Sequence, residues 1–597
     1  MSGGVRYAGL SRIATSAARY ARKRPALLLF VAVLTAYRAT QWGHFAVPAP
    51  DFFDFEHTAQ ALAAGHLPAQ FQRAPVYPAL IALISPLLGG ARPALAAAQT
   101  INLLMSACAL IVMYELCALF VGRWALLVVA LSGLHWTLAY VTIHPLCEPA
   151  LMVTMLGALF LDATARRGKY VAAGLAAATR YEGLFLVATL ALCDLRRRRD
   201  ATRIMPAAGL AILPGAVWFV LGLLRAANPY ADVIAAQSPA GLEFLRSMAM
   251  SAIGALPVQV LEGALAGEAA ARAVAVAAAV AAAGLMVIGA HRALRLHART
   301  ARALLLFGAA YVGIHMLYPA ANTRFVLPIL WLMHLLTVMG GFHLTEGARA
   351  RYTATGRGLA EAAKHGVSDP APTAPRGVAA AVGIAISVVA VGGAVWAARY
   401  DSLWVLPLSA PVAWALAAPA ARMQRWVLMP ALAMVALMVA GALGLGAWYV
   451  EREGRWWAEL GPVGKWCEPR PPGLVRLAAT RSVITLMREL HPHPRVRFYD
   501  LARLDSSGTV ALPPDVTHLL WCSTDTPLRG QRPPLLLSQR YADERQQSIA
   551  TGRWFVRRVA EGRDAGWRAC ARFEARGQQA VIYAREDVRQ ASAGAPQ

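Results

Sequence analysis

Long apolar runs, each close to the length of a membrane-crossing helix and separated by short arginine clusters, constrain this chain more than any other feature. A helix needs about 20 apolar residues to cross the hydrocarbon layer. Runs of that kind occupy residues 25–42, 94–120, 124–143, 149–165, 204–226, 273–290, 303–319, 325–343, 378–398, 403–420 and 426–450. Composition agrees, because 57% of the 597 residues are hydrophobic and only 15% are charged, against about 25% charged in soluble chains. Soluble, coiled-coil, collagen-like and disordered readings fail on these grounds. The expected fold class is an all-α polytopic membrane protein.

The stretch Tyr170–Leu195 departs from the pattern. As one span it would put Arg196–Arg199 on the opposite side from Arg166–Lys169. As two short helices hinged near Arg180–Gly183, both clusters stay inside, and Gly183 eases the bend. Counting that hairpin as two gives thirteen helices, with the termini on opposite sides. The inner loops then carry 26 Lys/Arg and the outer loops before the tail carry eight. This bias predicts a cytoplasmic amino terminus and an outer tail, in a bacterial cytoplasmic (inner) membrane. The net charge of +25 is therefore a topology signal, and nucleic acid is not an expected partner. The first apolar run reads as a retained helix and not as a cleaved signal.

The expected organisation is a basic cytoplasmic segment (1–24), a transmembrane module (25–345) with a first outer loop at 43–93, a cytoplasmic linker (346–376), further transmembrane helices (377–450), and a soluble extracytoplasmic, periplasmic domain (451–597). In the tail, 476–490 reads as a helix, while 516–521 and 579–583 read as short buried strands, so a small α/β domain is expected. The seven cysteines show no zinc-type spacing. Outside the cell, two of Cys467, Cys522 and Cys570 could bridge, and all three pairings are open.

The first outer loop concentrates chemistry: Asp51, Asp54 and Glu56 fall within six residues just past a span. Asp51, Phe55, Ala59 and Leu62 share one helical face by spacing. Two readings of the acids are open: a catalytic carboxylate, or an N-cap satisfying helix amides. Arg73, Arg180 and Arg324 map to the same outer side, where a guanidinium can hold a phosphate bidentately or simply snorkel to the interface. Glu148 opens the fourth span from that side and could orient an acceptor, hold a metal or cap the helix. Tyr77, His144, Tyr181 and Glu182 are candidate cavity residues, His144 reading more readily as a satisfied loop histidine. Asp232 and Glu243 fall where a lid could lie. Glu115, within the second span, reads as a structural polar contact, and Trp456–Trp457 as an interfacial belt.

Several motifs carry a resemblance. Asp51 is followed by Phe55, Ala59, Leu62 and Gly65, then Arg73-Ala74-Pro75-Val76-Tyr77-Pro78. Further along come His144-Pro145-Leu146-Cys147-Glu148-Pro149, Ala173-Gly174-Leu175 to Thr179-Arg180-Tyr181-Glu182-Gly183, and Asn322-Thr323-Arg324-Phe325 leading to Pro328. In this order, across roughly residues 20–340, they resemble the GT-C membrane glycosyltransferases, in the bacterial branch related to protein O-mannosyltransferases and lipid A aminoarabinose transferases. The resemblance implies an integral membrane glycosyltransferase that takes a sugar from a polyprenyl-phosphate donor and transfers it with inversion to an acceptor hydroxyl on a glycan, lipid or protein. It implies Asp51 as the base, with Asp54 as local competitor and Glu148 assisting. Arg73, Arg324 and Arg180 would bind the donor phosphate. Some relatives carry an acid just before the basic residue of the first loop; here that position is Gln72, so no cofactor is certain and a divalent cation is the one candidate. The rival class is a transporter or flippase for a lipid-linked envelope precursor, against which stands the lack of a half-length repeat.

Overall fold

A computed structural model of the chain describes residues 18–344 and 458–586, apart from internal stretches of which the longest are 226–240, 253–267, 502–514 and 524–554. The linker and the three spans expected beyond it, with Trp456–Trp457, Gln72, Asp232 and Asn322, lie outside the described residues. The chain divides into two compact units, residues 1–41 with 54–448, and residues 42–53 with 449–597.

The first unit is helical: α1 (Pro25–Ala39), α2 (Pro50–Ala63, whose first turn is grouped with the second unit), α3 (Val76–Ile84), α4 (Pro93–Val121), α5 (Ala125–Gly133), α6 (Trp136–Ile143), α7 (Glu148–Ala163), α8 (Lys169–Thr179), α9 (Gly183–Arg198), α10 (Ala201–Leu224), α11 (Gly241–Ala252), α12 (Glu268–Leu296) and α13 (Ala298–Leu317). A last helix, α14, runs Leu327–Leu344. Among the described residues, five stretches are long and apolar enough to cross a membrane, namely Pro93–Gly133, Ala201–Leu224, Ala279–Leu296, Ala298–Leu317 and Leu327–Leu344. With exposed leucines and valines along α10 and α12, these make the chain a polytopic membrane protein.

The expected hairpin is present. Helices α8 and α9 are separate, joined by Arg180–Glu182, and pack on each other. The reason for Gly183 differs from the one expected. It is not in a left-handed conformation; a Cβ there would lie 2.3 Å from the Ala176 carbonyl carbon, so the glycine is needed for close approach and not for the bend. Helix α8 also lies tightly on α10, where a Cβ on Gly174 would meet the Ala211 carbonyl oxygen at 2.8 Å and one on Gly215 the Ala177 oxygen at 3.0 Å. Small residues permit such backbone contact between apolar helices.

One span reading is corrected. Residues 124–143 do not form one helix: α5 ends at Gly133, α6 begins at Trp136, and α6 then meets α7 at a 114° bend. The break is stabilised by side chains. Buried Arg38, from α1, donates to the Gly133 carbonyl and to the Thr142 hydroxyl, so one guanidinium bonds both sides of the interruption. His135 accepts from the Thr137 amide at 3.2 Å through Nδ1, capping the new helix start. Backbone groups freed by a helix break in an apolar interior need such partners.

The second unit holds a five-stranded sheet of order β2-β1-β3-β5-β4, with β1 (Val475–Ala479), β2 (Val496–Asp500), β3 (His518–Cys522), β4 (Trp567–Ala575) and β5 (Gln578–Arg585), preceded by α15 (Leu460–Cys467). Strand β1 is parallel to β2 (Val475 opposite Val496) and to β3 (Leu477 opposite His518). Strand β5 runs antiparallel to β3 and β4. Its core gathers Leu519, Trp521, Val581, Tyr583, Phe555, Val556 and Val559. The strands expected at 516–521 and 579–583 correspond to β3 and β5. The helix expected over 476–490 is corrected at its start, since Val475–Ala479 is a strand inside the sheet. Interior parallel strands are apolar on both faces and lose the alternation that marks a strand. Cys467 and Cys522 are buried, Cys570 is exposed on β4, and none is cross-linked.

Candidate functional site

Two clusters of charged side chains in the first unit lie at opposite ends of one helix packet. Helix α7 carries Glu148 in its first turn and Asp162 in its last, about 20 Å apart at ~1.5 Å per residue. At the Asp162 end, Lys169 Nζ lies 2.7 Å from Asp162 and 2.6 Å from Asp194, and Arg197 Nη1 lies 3.1 Å from Asp162. Arg197 also donates to the Arg299 carbonyl at 2.6 Å, and Tyr170 to Asp194 at 3.1 Å. This end is a charge-balanced network that ties α7, α8, α9 and α13 together. It was not singled out in the sequence, although two acids inside otherwise apolar runs are the signal that could have shown it.

The other end holds most of the expected site. Arg180, in the α8–α9 turn, donates from Nη1 to Glu148 Oε1 at 2.6 Å and from Nη2 to Glu182 Oε1 at 2.6 Å, with Nε 3.2 Å from both Glu182 oxygens. Glu148 is 2% exposed at its side chain, and Arg324 Nε stands 3.9 Å from its Oε1. Phe325 presents its ring to both guanidiniums, 5.5 Å from Arg180 and 5.1 Å from Arg324. His315, from the last turn of α13, brings Nε2 to 3.8 Å from Glu182 Oε1. Burial disfavours the charged form of Glu182, but the Arg180 guanidinium more than offsets it and holds the carboxyl at about 2.

Beside this knot, Arg73 pairs with Asp54, with Nη2 at 2.8 Å and Nε at 3.1 Å from Oδ2, and lies over the Phe55 ring at 5.2 Å. Phe55 and Ala59, which share a helical face with Asp51 by spacing, are 2% and 3% exposed. The Arg73 loop is pinned by Trp218 Nε1, which donates to the Arg73 carbonyl at 2.9 Å, and by the Tyr181 hydroxyl, which donates to the Phe71 carbonyl at 2.9 Å. Tyr77 donates to Asn102 at 2.8 Å, and Asn102 donates to the carbonyls of Val141 and His144. Cys147, at the elbow between α6 and α7, is within electrostatic reach of Glu148, Arg180, Arg73 and Glu182. That places both charged groups around one elbow.

Of the residues singled out from sequence, Glu148, Arg180, Glu182 and Arg324 therefore meet directly, and Arg73, Asp54, Tyr77 and Tyr181 border them. His144 ends α6, buried, its ring 4.3 Å from Tyr140. Asp51 lies in the first turn of α2 and is half-buried. Glu115 meets Arg24 and Tyr20 away from this cluster, at 3.1 and 2.9 Å. His315, Asn102 and Trp218 were not singled out, and Phe325 only as part of a motif; Asn102 and His315 are polar side chains in apolar runs, a signal that could have shown them, whereas for Trp218 and Phe325 packing alone accounts for the residue type. Among the described residues no three His, Cys, Asp or Glu side chains gather as a metal site.

No protein-family model matches the chain, and no curated protein does. Among solved structures, the chain is similar to ArnT from Cupriavidus metallidurans bound to undecaprenyl phosphate, with 15% identity and a TM-score of 0.47 over 96% of this chain and 99% of that one. The apo form of the same protein aligns with 16% identity and a TM-score of 0.48 over the same shares. The Archaeoglobus fulgidus oligosaccharyltransferase, tethered to an acceptor peptide containing the NVT sequon, aligns with 11% identity and a TM-score of 0.43, over 94% of this chain and 74% of that one.

Proposed function

We propose that the chain is an integral membrane glycosyltransferase that moves a sugar from a polyprenyl-phosphate donor to an acceptor hydroxyl on the outer face of the membrane, with inversion at the anomeric carbon. The observation that carries this reading is the Glu148–Arg180–Glu182–Arg324 knot at one end of the helix packet, with the Arg73–Asp54 pair at its border. Three guanidiniums and three carboxylates at one end of an apolar bundle are costly to keep unless they serve a polar substrate.

The chemistry follows from the residue types. In an inverting transfer, a carboxylate removes the acceptor proton, the acceptor oxygen attacks the anomeric carbon, and the bond to the phosphate oxygen breaks, leaving the electron pair on the phosphate. Two acids of α2 compete for the role of base. Asp54 accepts two hydrogen bonds from Arg73 at Oδ2, so its carboxylate is committed to positioning that guanidinium. We assign Asp51 as the base. Arg73 and Arg324 neutralise the departing phosphate, and a fork geometry suits them to it. Arg180 is engaged by two carboxylates at once and acts by holding Glu148 towards the acceptor.

Transfer of a radiolabelled sugar from a polyprenyl-phosphate donor, assayed with the full chain in detergent, tests the reading. Asp51→Asn should abolish transfer while insertion and purification stay normal, and Asp54→Asn should retain part of it. Undiminished transfer by Asp51→Asn removes the assignment of the base. Because no membrane gradient exists in detergent, the absence of any transfer by the wild-type protein favours the transporter class instead.

A further inference from the structure

The charged knot is roofed by a side chain whose polar atom has no protein partner. Tyr311 lies on α13 and is 1% exposed. Its hydroxyl makes no hydrogen bond among the described residues, yet it sits within electrostatic reach of Glu182, Arg180, Glu148 and Cys147. The ring cannot turn the hydroxyl elsewhere. It is stacked on His315 with centroids 4.3 Å apart and planes at 28°, and it packs on Phe307 at 5.8 Å. His315 is itself held by a 2.9 Å contact between Nδ1 and the Tyr311 carbonyl. A buried hydroxyl without a partner is rare, because it forfeits its hydrogen bonds to water.

The neighbouring donors are committed. Arg180 spends Nε, Nη1 and Nη2 on Glu148 and Glu182, and two carboxylates already balance the guanidiniums of Arg180 and Arg324. A phenol adds an O–H donor to such a site without altering its charge. An anionic oxygen entering beside the knot would find this donor preplaced, with its geometry fixed by the His315 stack. We propose that Tyr311 is a ligand-contacting residue whose hydroxyl donates a hydrogen bond to a phosphate oxygen of the lipid-linked donor. The inference rests on the glycosyltransferase reading and adds a donor contact that none of the sequence motifs contains.

Tyr311→Phe tests it with almost no change of shape. The full chain in detergent is titrated with undecaprenyl phosphate, which carries no sugar, and its thermal midpoint is measured without ligand. Loss of a hydrogen bond to a charged oxygen should weaken binding by about tenfold to a hundredfold. The unliganded variant should be equally or more stable, because an unsatisfied buried hydroxyl has been removed. Lower affinity together with an unchanged or raised midpoint supports the contact; equal affinity overturns it. A loss seen only with the sugar-bearing donor would place the contact on the sugar and also overturn the proposal. Failure of the wild-type chain to bind undecaprenyl phosphate at all would count against the functional reading itself, so the two failures are told apart.

Discussion

At the scale of single residues, the site is organised by Arg180 more than by any carboxylate. Its guanidinium meets Glu148 and Glu182 together, an arrangement that lysine, with one charge point, would not reproduce. The consequence is readable in pH. The folded-state carboxyl of Glu182 is held at about 2, below its ordinary value of about 4.5. A depressed carboxylate contributes stability that is fully present above its unfolded value and is lost as pH falls through the folded one. The thermal midpoint of the protein should therefore decline as pH drops below about 4.5, and Glu182→Gln should flatten that decline while lowering the midpoint near neutrality. Identical pH profiles for the two proteins would show that Glu182 is not held by Arg180 in solution. Glu148, Arg180, Glu182 and Arg324 were legible in the sequence because charged residues are conspicuous between apolar runs. Their partners Phe325 and Tyr311 were not, since an aromatic in an apolar helix looks the same whether it packs or binds.

Among the elements, the hairpin of α8 and α9 positions Arg180, and charge distribution alone predicted it: only a turn near Arg180 keeps Arg166–Lys169 and Arg196–Arg199 on one side. What charge could not show is how tightly the hairpin closes. A Cβ on Gly183 would fall 2.3 Å from the Ala176 carbonyl carbon and 2.3 Å from the Ala177 nitrogen, and backbone cannot yield as a flexible side chain does. Gly183→Ala should cost about 1–3 kcal/mol or more through overpacking and should also lower transfer, because Arg180 moves with the turn. Gly157→Ala in α7 is the matched control, as a Cβ there meets nothing within 4 Å and removal of a helical glycine should stabilise by up to about 1 kcal/mol. Thermal unfolding in detergent compares them, and equal midpoints for both variants would sink the close-approach argument. The break between α5 and α6 was illegible for a related reason. Residues 124–143 are apolar enough overall to read as one span despite Ser132-Gly133 and His135, and the interruption is held by a long-range partner, Arg38, together with the local cap by His135. Strand β1 was misread as helix because its burial in the sheet erased the alternation.

For the whole molecule, the two charged poles of the helix packet impose a direction. At one pole Asp162, Asp194, Lys169 and Arg197 balance one another's charge, next in sequence to the basic clusters at 166–169 and 196–199, which the positive-inside bias predicts to be cytoplasmic. On the proposed topology the other pole, with Glu148 and Arg180, is the outer one, where the proposed lipid-linked donor would be met. The same bias, carried through the thirteen spans expected from the sequence, predicts that the carboxy-terminal unit is outside as well. Cys570 offers a direct reporter, because it is exposed on β4 while Cys467 and Cys522 are buried. In a variant keeping Cys570 as the sole cysteine, a membrane-impermeant maleimide should label spheroplasts without lysis, and Cys570→Ser should abolish the signal. Protection of Cys570 until the membrane is opened would place the sheet domain in the cytoplasm. It would require an even number of spans and leave the orientation of the Arg180 pole untouched, since that rests on the loops before residue 345 alone.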